Sequence, residues 1–373
     1  MNPTVSFVVP CYKLAHLLPQ CVESILSQTY GDVEVIIMDD CSPDNTPEVA
    51  RSFADPRVKY VRNDPNLGHL RNYNKGISLS QGKYIWLISA DDLLSKPHVV
   101  RKYVDFAESH PSVGYVFCPG TGYSNDGKEL GLLKYSVHGS EDKLIKGHDF
   151  FERLLRSNAV LAAAGMVRKE VYEKLGAFPV DMPFGGDWYL WLLFSLHYDV
   201  GYLAEPMVYY RQHTMSMTNI LNEKDPSICT KDDLRVLWQI KRRTEEARQP
   251  VLAQKVDEHI IDRSALFLSS ERNKGATAFY SFENFEESMK ENAATDQELK
   301  KIRSRVYARV ADETFWAKDF SQSSSLYRRS LQQDFVQPKV WLQSALLSVG
   351  APGIRLREFQ QSMRRWLSDL RSH

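Results

Sequence analysis

Hydrophobic and polar positions fall in short blocks along the first 220 residues, and the period of those blocks changes repeatedly. Val5 to Val9 is β-branched and aromatic and stops at Pro10, and Leu17 to Gln28 follows with apolar residues at helical spacing, which predicts a strand, a loop and a helix. Val33 to Met38 is apolar on both faces and ends in Asp39-Asp40 and the polar turn CSPDNT, the pattern of a buried parallel strand. Val58 to Val61 and Tyr84 to Ile88 repeat the theme, with a predicted helix from His69 to Leu79 between them. Strands alternating with helices indicate an α/β fold built on a parallel sheet.

In such sheets ligands bind beyond the carboxyl ends of the strands. Those ends carry Pro10-Cys11-Tyr12, Asp39-Asp40 and Ser89-Ala90-Asp91-Asp92, so they are expected to converge on one polar, acidic crevice. From Lys143 onward the pattern predicts helices around Asp149 to Ser157, Val171 to Leu175 and Trp188 to Leu196, then a strand at Val208 to Tyr210; this half is expected to complete the site.

Beyond Asn222 glycine becomes scarce and charged, helix-forming residues dominate, which predicts an all-helical C-terminal domain and places the boundaries at 1–221 and 222–373. Tyr307 to Leu331, with Phe315, Trp316, Phe320, Leu326 and Tyr327, has the pattern of a tetratricopeptide-like helical hairpin, without a second copy at the expected period. Such a domain is a candidate surface for a protein partner. The last stretch, 340–373, carries Arg355, Arg357, Arg364, Arg365 and Arg371 among Trp341, Phe359 and Trp366. It reads either as a terminal helix packed on its own domain or as a basic amphipathic tail on an anionic membrane surface.

Composition narrows the function. Lys plus Arg and Asp plus Glu both number 47, so no net charge draws the chain to nucleic acid. The five cysteines, Cys11, Cys21, Cys41, Cys118 and Cys229, are widely spaced and lack the spacing of a structural zinc site, which suits a reducing, cytoplasmic setting. No stretch approaches the ~20 apolar residues needed to span a bilayer, so membrane contact is expected only peripherally, at the inner face of the cytoplasmic membrane.

Adjacent acids such as Asp91-Asp92 also occur as solvated turns and helix caps, and their meaning depends on their surroundings. The surroundings here are the string NLGHLRNYNKGISLSQGKYIWLISADD, from Asn66 to Asp92, with VSFVVPCYKLAHLLPQCVESILSQTYGDVEVIIMDDCSPDNT upstream. Together they resemble the family 2 glycosyltransferases of the GT-A fold, and the resemblance extends from about Val5 to Thr218. It implies that Pro10 and Tyr12 line a nucleoside pocket and that Asp40, with Asp39, hydrogen-bonds the base, most readily a uracil imide N–H. Asn66, Gly68, Arg71 and Asn74 fall in the family's NxG segment and are implied in donor binding, with Arg71 either on phosphate or in a surface salt bridge. Ser89, Ala90 and Asp91 are implied in further donor contacts, and Gly165, in the small-residue loop from Ala162 to Val167, is implied to let backbone approach the donor sugar.

By the same resemblance Asp91 and Asp92, joined by His213, hold Mn2+ or Mg2+. The family usually has Asp-x-Asp at this place, and Ser89 stands where the first acid would be. The string from Pro183 to Thr218 resembles the acceptor-side motif, in which an acid before an aromatic-rich helix is the general base; Asp187 matches that acid, with Gly186 in place of the usual glutamate. Trp188, Trp191 and Phe194 have the helical spacing of core residues.

The resemblance therefore implies an inverting glycosyltransferase that moves a sugar, most readily from a UDP-sugar, to a glycan or lipid-linked glycan acceptor, as in bacterial surface polysaccharide or glycolipid synthesis. A nucleotidyltransferase would need a glycine-rich basic loop after the first strand, where Pro10 to Leu17 offers only Lys13. A noncatalytic nucleotide-sugar-binding adaptor acting through its helical domain is the alternative that Ser89 leaves open.

Overall fold

The apolar run at the N-terminus folds as β1 (Val5–Cys11), buried along its whole length, followed by α1 (Leu18–Leu26), β2 (Val33–Asp39), α2 (Thr46–Arg51), β3 (Val58–Arg62), α3 (His69–Leu79) and β4 (Tyr84–Leu87). The chain continues through β5 (Leu93–Leu94), α4 (Val99–Ser109), β6 (Val113–Phe117), β7 (Gly120–Tyr123), β8 (Glu129–Leu132), β9 (Lys143–Ile145) and α5 (Gly147–Leu154). Then come β10 (Met166–Arg168), α6 (Lys169–Leu175), α7 (Gly186–His197), β11 (Asp199–Tyr202), β12 (Val208–Arg211), α8 (Met217–Lys224) and α9 (Ile228–Glu246). This computed structural model describes residues 2–225, 227–273, 280–292 and 295–371.

An eight-stranded sheet runs in the order β3-β2-β1-β4-β10-β6-β11-β9, and a four-stranded sheet in the order β5-β12-β7-β8. β3, β2, β1 and β4 are parallel, with β1, β2 and β4 buried on both faces and β3 half-exposed at the sheet edge, whereas β10 runs antiparallel between β4 and β6. The α/β expectation holds. The strands β6, β10 and β11, which the apolar pattern did not single out, extend the sheet beyond the strands that it did. Phe7 stacks on Trp86 with ring centroids 5.4 Å apart, and Trp86 packs on Tyr103 at 4.3 Å, filling the layer between sheet and α4.

The described chain divides into two compact units, one ending at Leu252 and one beginning at Ala253. In the second, α10 (Pro250–Asn273), which starts just before the division, is followed by α11 (Phe282–Asn292), α12 (Asp296–Trp316), α13 (Phe320–Gln333), α14 (Pro338–Ser348) and α15 (Ala351–Arg371). The helical expectation for this end of the chain holds. α12 and α13 form an antiparallel hairpin whose close approach rests on buried serines: Ser323 Oγ donates to the Ala311 carbonyl and Ser330 Oγ to that of Ser304, each at 2.8 Å. Arg357 is turned inward, 3.8 Å over the Phe315 ring and paired with Asp312. The side chains of Arg364, Arg365, Trp366 and Arg371 lie outside the described residues.

Arg168 at the end of β10 is buried and donates to the carbonyls of Val113 and Ala107 and to the Tyr84 hydroxyl, tying three elements together. Arg168→Met removes these donors and leaves buried carbonyls unpaired, so it is expected to lower unfolding free energy by about 2–3 kcal/mol in urea denaturation.

Candidate functional site

Parallel pairing places the carboxyl ends of β2, β1 and β4 side by side, and the chain beyond them stays in register. Asp40 N–H donates to the Cys11 carbonyl at 3.0 Å and Ala90 N–H to that of Pro10 at 3.1 Å. Pro10, Tyr12, Asp39, Asp40, Ser89, Ala90, Asp91 and Asp92 are thereby gathered at one edge of the sheet. Tyr12 is 40% exposed beside this edge, with Lys13 Nζ 5.1 Å from its ring centroid.

Asp39 is fully buried and accepts from Ser42 N–H, the Tyr60 hydroxyl and Arg62 Nη1, the last two at 2.7 Å on Oδ2. Asp40 organises the segment that follows β3: its Oδ1 accepts from Asn63 Nδ2 and Leu67 N–H, and its Oδ2 from Gly68 N–H at 2.9 Å. One acceptor position on Oδ2 remains. Gly68 has φ of 80°, a conformation that favours glycine, and it begins α3, so the carboxylate sits at a helix N-terminus. Asn66 donates to the Asp40 carbonyl. Asn72, buried within α3, links Asn63 to the Met38 carbonyl. Asn74 uses both ends of its amide on the backbone of Phe178, which makes it a tie between α3 and the segment after α6. Arg71, in the first turn of α3, is exposed.

Antiparallel pairing of β5 with β12 brings the residues after β12 beside the turn after β4. His213 Nε2 lies 2.9 Å from Asp91 Oδ2, and Asp92 Oδ1 accepts from Arg211 N–H at 3.0 Å. Arg211 is buried, donates to the Asp91 carbonyl and to Gln20 Oε1, and stacks over Tyr123. Asp91 Oδ1 is buried and has no hydrogen-bond partner among the described residues. Burial, followed by the charge of Asp91, pushes the Asp92 carboxyl well above the usual carboxylate range.

Asp187 stands in the first turn of α7. Its Oδ1 accepts from Trp188 N–H at 2.7 Å and its Oδ2 from Asn158 Nδ2 at 2.9 Å. Burial raises its pKa to about 6 in spite of these bonds, which favour the charged form. Tyr73 and Tyr210 link the two acidic groups: burial, and then the charges of Asp91, Asp92 and Asp187, raise both phenols, that of Tyr210 to about 12. Asp91, Asp92 and Asp187 thus all bear electrostatically on the same two phenols. Gly165 lies against the core: a Cβ there would stand 2.4 Å from Trp191 Cη2, and the carbonyls of Ala163 and Ala164 accept from Trp86 and Tyr103. The steric demand for glycine at this position comes from Trp191.

Among the described residues no three His, Cys, Asp or Glu side chains are gathered as a complete cation site. A divalent ion that also binds a diphosphate needs only one or two protein carboxylates, and the unpartnered Asp91 Oδ1 beside His213 fits that incomplete set.

The model of the family described as glycosyl transferase family 2 matches residues 6–176. Glycosyltransferase GlyG of Streptococcus pneumoniae serotype 4 is 35% identical over 115 residues, which are 30% of this chain and 38% of GlyG. This chain therefore spans well under half the length of that curated relative. An uncharacterized glycosyltransferase of Haemophilus influenzae is 27% identical over 228 residues, 60% of this chain and 69% of the relative. Among solved structures, S. aureus TarS 1–349 in complex with UDP-GlcNAc aligns with a TM-score of 0.59 at 15% identity, covering 87% of this chain and 92% of that one, a likeness of fold that bears out the GT-A type.

Asn158 stabilises the charged form of Asp187, so Asn158→Ala is expected to raise the Asp187 pKa above about 6, read by carboxyl-carbon NMR titration of aspartate-labelled protein.

Proposed function

We propose, for a chain whose residues 6–176 match the model of glycosyl transferase family 2, that it transfers a sugar from a nucleotide-sugar to an acceptor hydroxyl with inversion at the anomeric carbon. The observation that carries this reading is Asp187, held at the start of α7 by Asn158 with a pKa near 6, whose charge bears with those of Asp91 and Asp92 on Tyr73 and Tyr210. A carboxylate that titrates close to neutrality is a suitable general base.

Tyr12 offers a ring face to the base, and the remaining acceptor position on Asp40 Oδ2 suits an imide N–H, which favours a UDP-sugar; TarS, a neighbour in fold, binds UDP-GlcNAc. Asp91 and His213, 2.9 Å apart and with Asp92 beside them, would hold Mn2+ or Mg2+ at the diphosphate of a bound donor. When bound, the ion neutralises charge on the departing diphosphate. Asp187 accepts the proton of the acceptor hydroxyl as the hydroxyl oxygen forms its bond to the anomeric carbon. The bond from that carbon to the diphosphate oxygen breaks on the opposite face, and the nucleoside diphosphate leaves. A single displacement inverts the centre.

The acceptor is a glycan or lipid-linked glycan, and the setting is surface polysaccharide or glycolipid synthesis at the inner face of the cytoplasmic membrane. Among the described residues no helix is long and apolar enough to cross a membrane. Trp341 is exposed on α14, and Leu356 and Phe359 are exposed within about one turn of Arg355 on α15, which supports peripheral contact with anionic lipid.

Asp187→Asn is expected to reduce nucleoside diphosphate release about 10²- to 10⁴-fold with a competent acceptor present. For the parent chain, turnover is expected to fall as pH drops through about 6, because the protonated acid accepts no proton, and to level off above it. An unchanged rate in Asp187→Asn would remove the proposed base. Deleting residues 340–373 is expected to abolish flotation with anionic liposomes, with the fold of the truncated chain checked by circular dichroism because Arg357 packs on Phe315; undiminished flotation would exclude the tail as the contact.

A further inference from the structure

α9 lies beyond the family-matched residues, yet one face of it grips the segment that leads into α7. Asp232 is fully buried, and its Oδ2 accepts from Phe184 N–H at 2.7 Å and Gly185 N–H at 3.1 Å. Its Oδ1 accepts from Arg235 Nη1 at 3.0 Å, and the same nitrogen donates to the Asp181 carbonyl. One further turn along, Gln239 reaches Asp181 Oδ2, and beyond it Arg243 Nε donates to the Tyr189 hydroxyl at 3.1 Å. Positions 232, 235, 239 and 243 share a helix face. The approach is tight: a Cβ on Gly185 would stand 2.9 Å from Val236 Cγ2 and 3.3 Å from Asp232 Cβ.

The amides that Asp232 receives precede Asp187 by two and three residues, at the N-terminus of the helix that carries it. Helix starts have unpaired N–H groups, and a side chain within the same segment commonly satisfies them. Here the satisfying acid comes from another helix and is taken wholly out of water. Burying a carboxylate for this purpose is a costly way to secure a loop. It does, however, fix that loop in a single place relative to α9.

We propose that Asp232 is a positioning residue for the transfer: by holding the amides of Phe184 and Gly185 it sets where α7 begins and hence where Asp187 presents its carboxylate to the acceptor hydroxyl. The inference rests on the reading of Asp187 as the base. Asp232 touches neither substrate, so its removal acts on the chemical step through Asp187 and leaves the nucleotide end alone.

The test is steady-state kinetics of the full chain with Asp232→Ala, Asp232→Asn and Gly185→Ala, each checked for a cooperative melt. Asp232→Ala is expected to lower kcat about tenfold to a hundredfold, the scale of a misplaced catalytic group, with the donor KM held within about twofold. Asp232→Asn keeps an oxygen that accepts both amides and is expected to restore most of the lost kcat. Gly185→Ala pushes the loop off α9 with Asp232 intact and is expected to reproduce the loss, which covers the case of an Asp232→Ala protein that does not fold. A folded Asp232→Ala with parental kcat would overturn the proposal, as would an asparagine variant no better than alanine or a loss carried by donor KM instead of kcat. An inactive parent chain would remove the proposed function and this inference together, whereas an active parent with an unaffected Asp232→Ala would remove this inference alone.

Discussion

The acidic end of the site depends on a very short pairing. β5 has two residues, and its antiparallel contact with β12 matches Val208 to Leu94 and Tyr209 to Leu93. Continued past its last matched pair, that alignment runs Arg211 and His213 alongside Asp91 and Asp92, segments separated by more than a hundred residues in the chain. The pairing is reinforced by Arg211, whose buried guanidinium bonds the Asp91 carbonyl, Gln20 and the Ser124 carbonyl. Five donors on a rigid plane can serve several elements at once, which a lysine could not do.

Electrostatics then set the state of the donor-free site. Asp91, Asp92 and Asp187 bring three carboxyl groups to bear on Tyr73 and Tyr210. Asp91 retains a buried oxygen with no hydrogen-bond partner among the described residues. Unpaired polar atoms of this kind cost stability, and they mark the place where an arriving ligand gains most from charge or hydrogen-bond complementarity. Asp40 presents the contrasting case: its carboxylate is largely occupied in shaping the Leu67–Gly68 turn, so its value to a ligand lies as much in the backbone it orders as in its own free acceptor position.

Much of the first unit was legible because its strands are long and apolar on both faces and its helices are periodic. β1 to β4 and α3 fall where the pattern put them, the last with the same ends, and the family resemblance drawn from Asn66 to Asp92 is borne out. The short strands β6, β10 and β11 were less legible, since a three-residue strand such as Met166–Arg168 takes its identity from neighbours distant in sequence. The same limit applies to side chains. Asn63, Asn72, Asn158 and Arg211 are ordinary polar residues in their local context, and only tertiary pairing shows that they orient Asp40, Asp187 and the Asp91-Asp92 turn. At Gly165 the missing Cβ leaves room for the Trp191 ring, a packing demand that local sequence does not show.

The grip of α9 on residues 181–189 changes what counts as the smallest working piece of this protein. A composition-based cut near residue 221 would leave the α/β sheet whole and yet strip away Asp232, Arg235 and Arg243, so the piece would keep every residue of the acidic edge and lose the brace beneath its base. Recombination between relatives faces the same junction: a helical C-terminal unit can be exchanged as a cassette only if the crossover falls after Glu246, where α9 has ended.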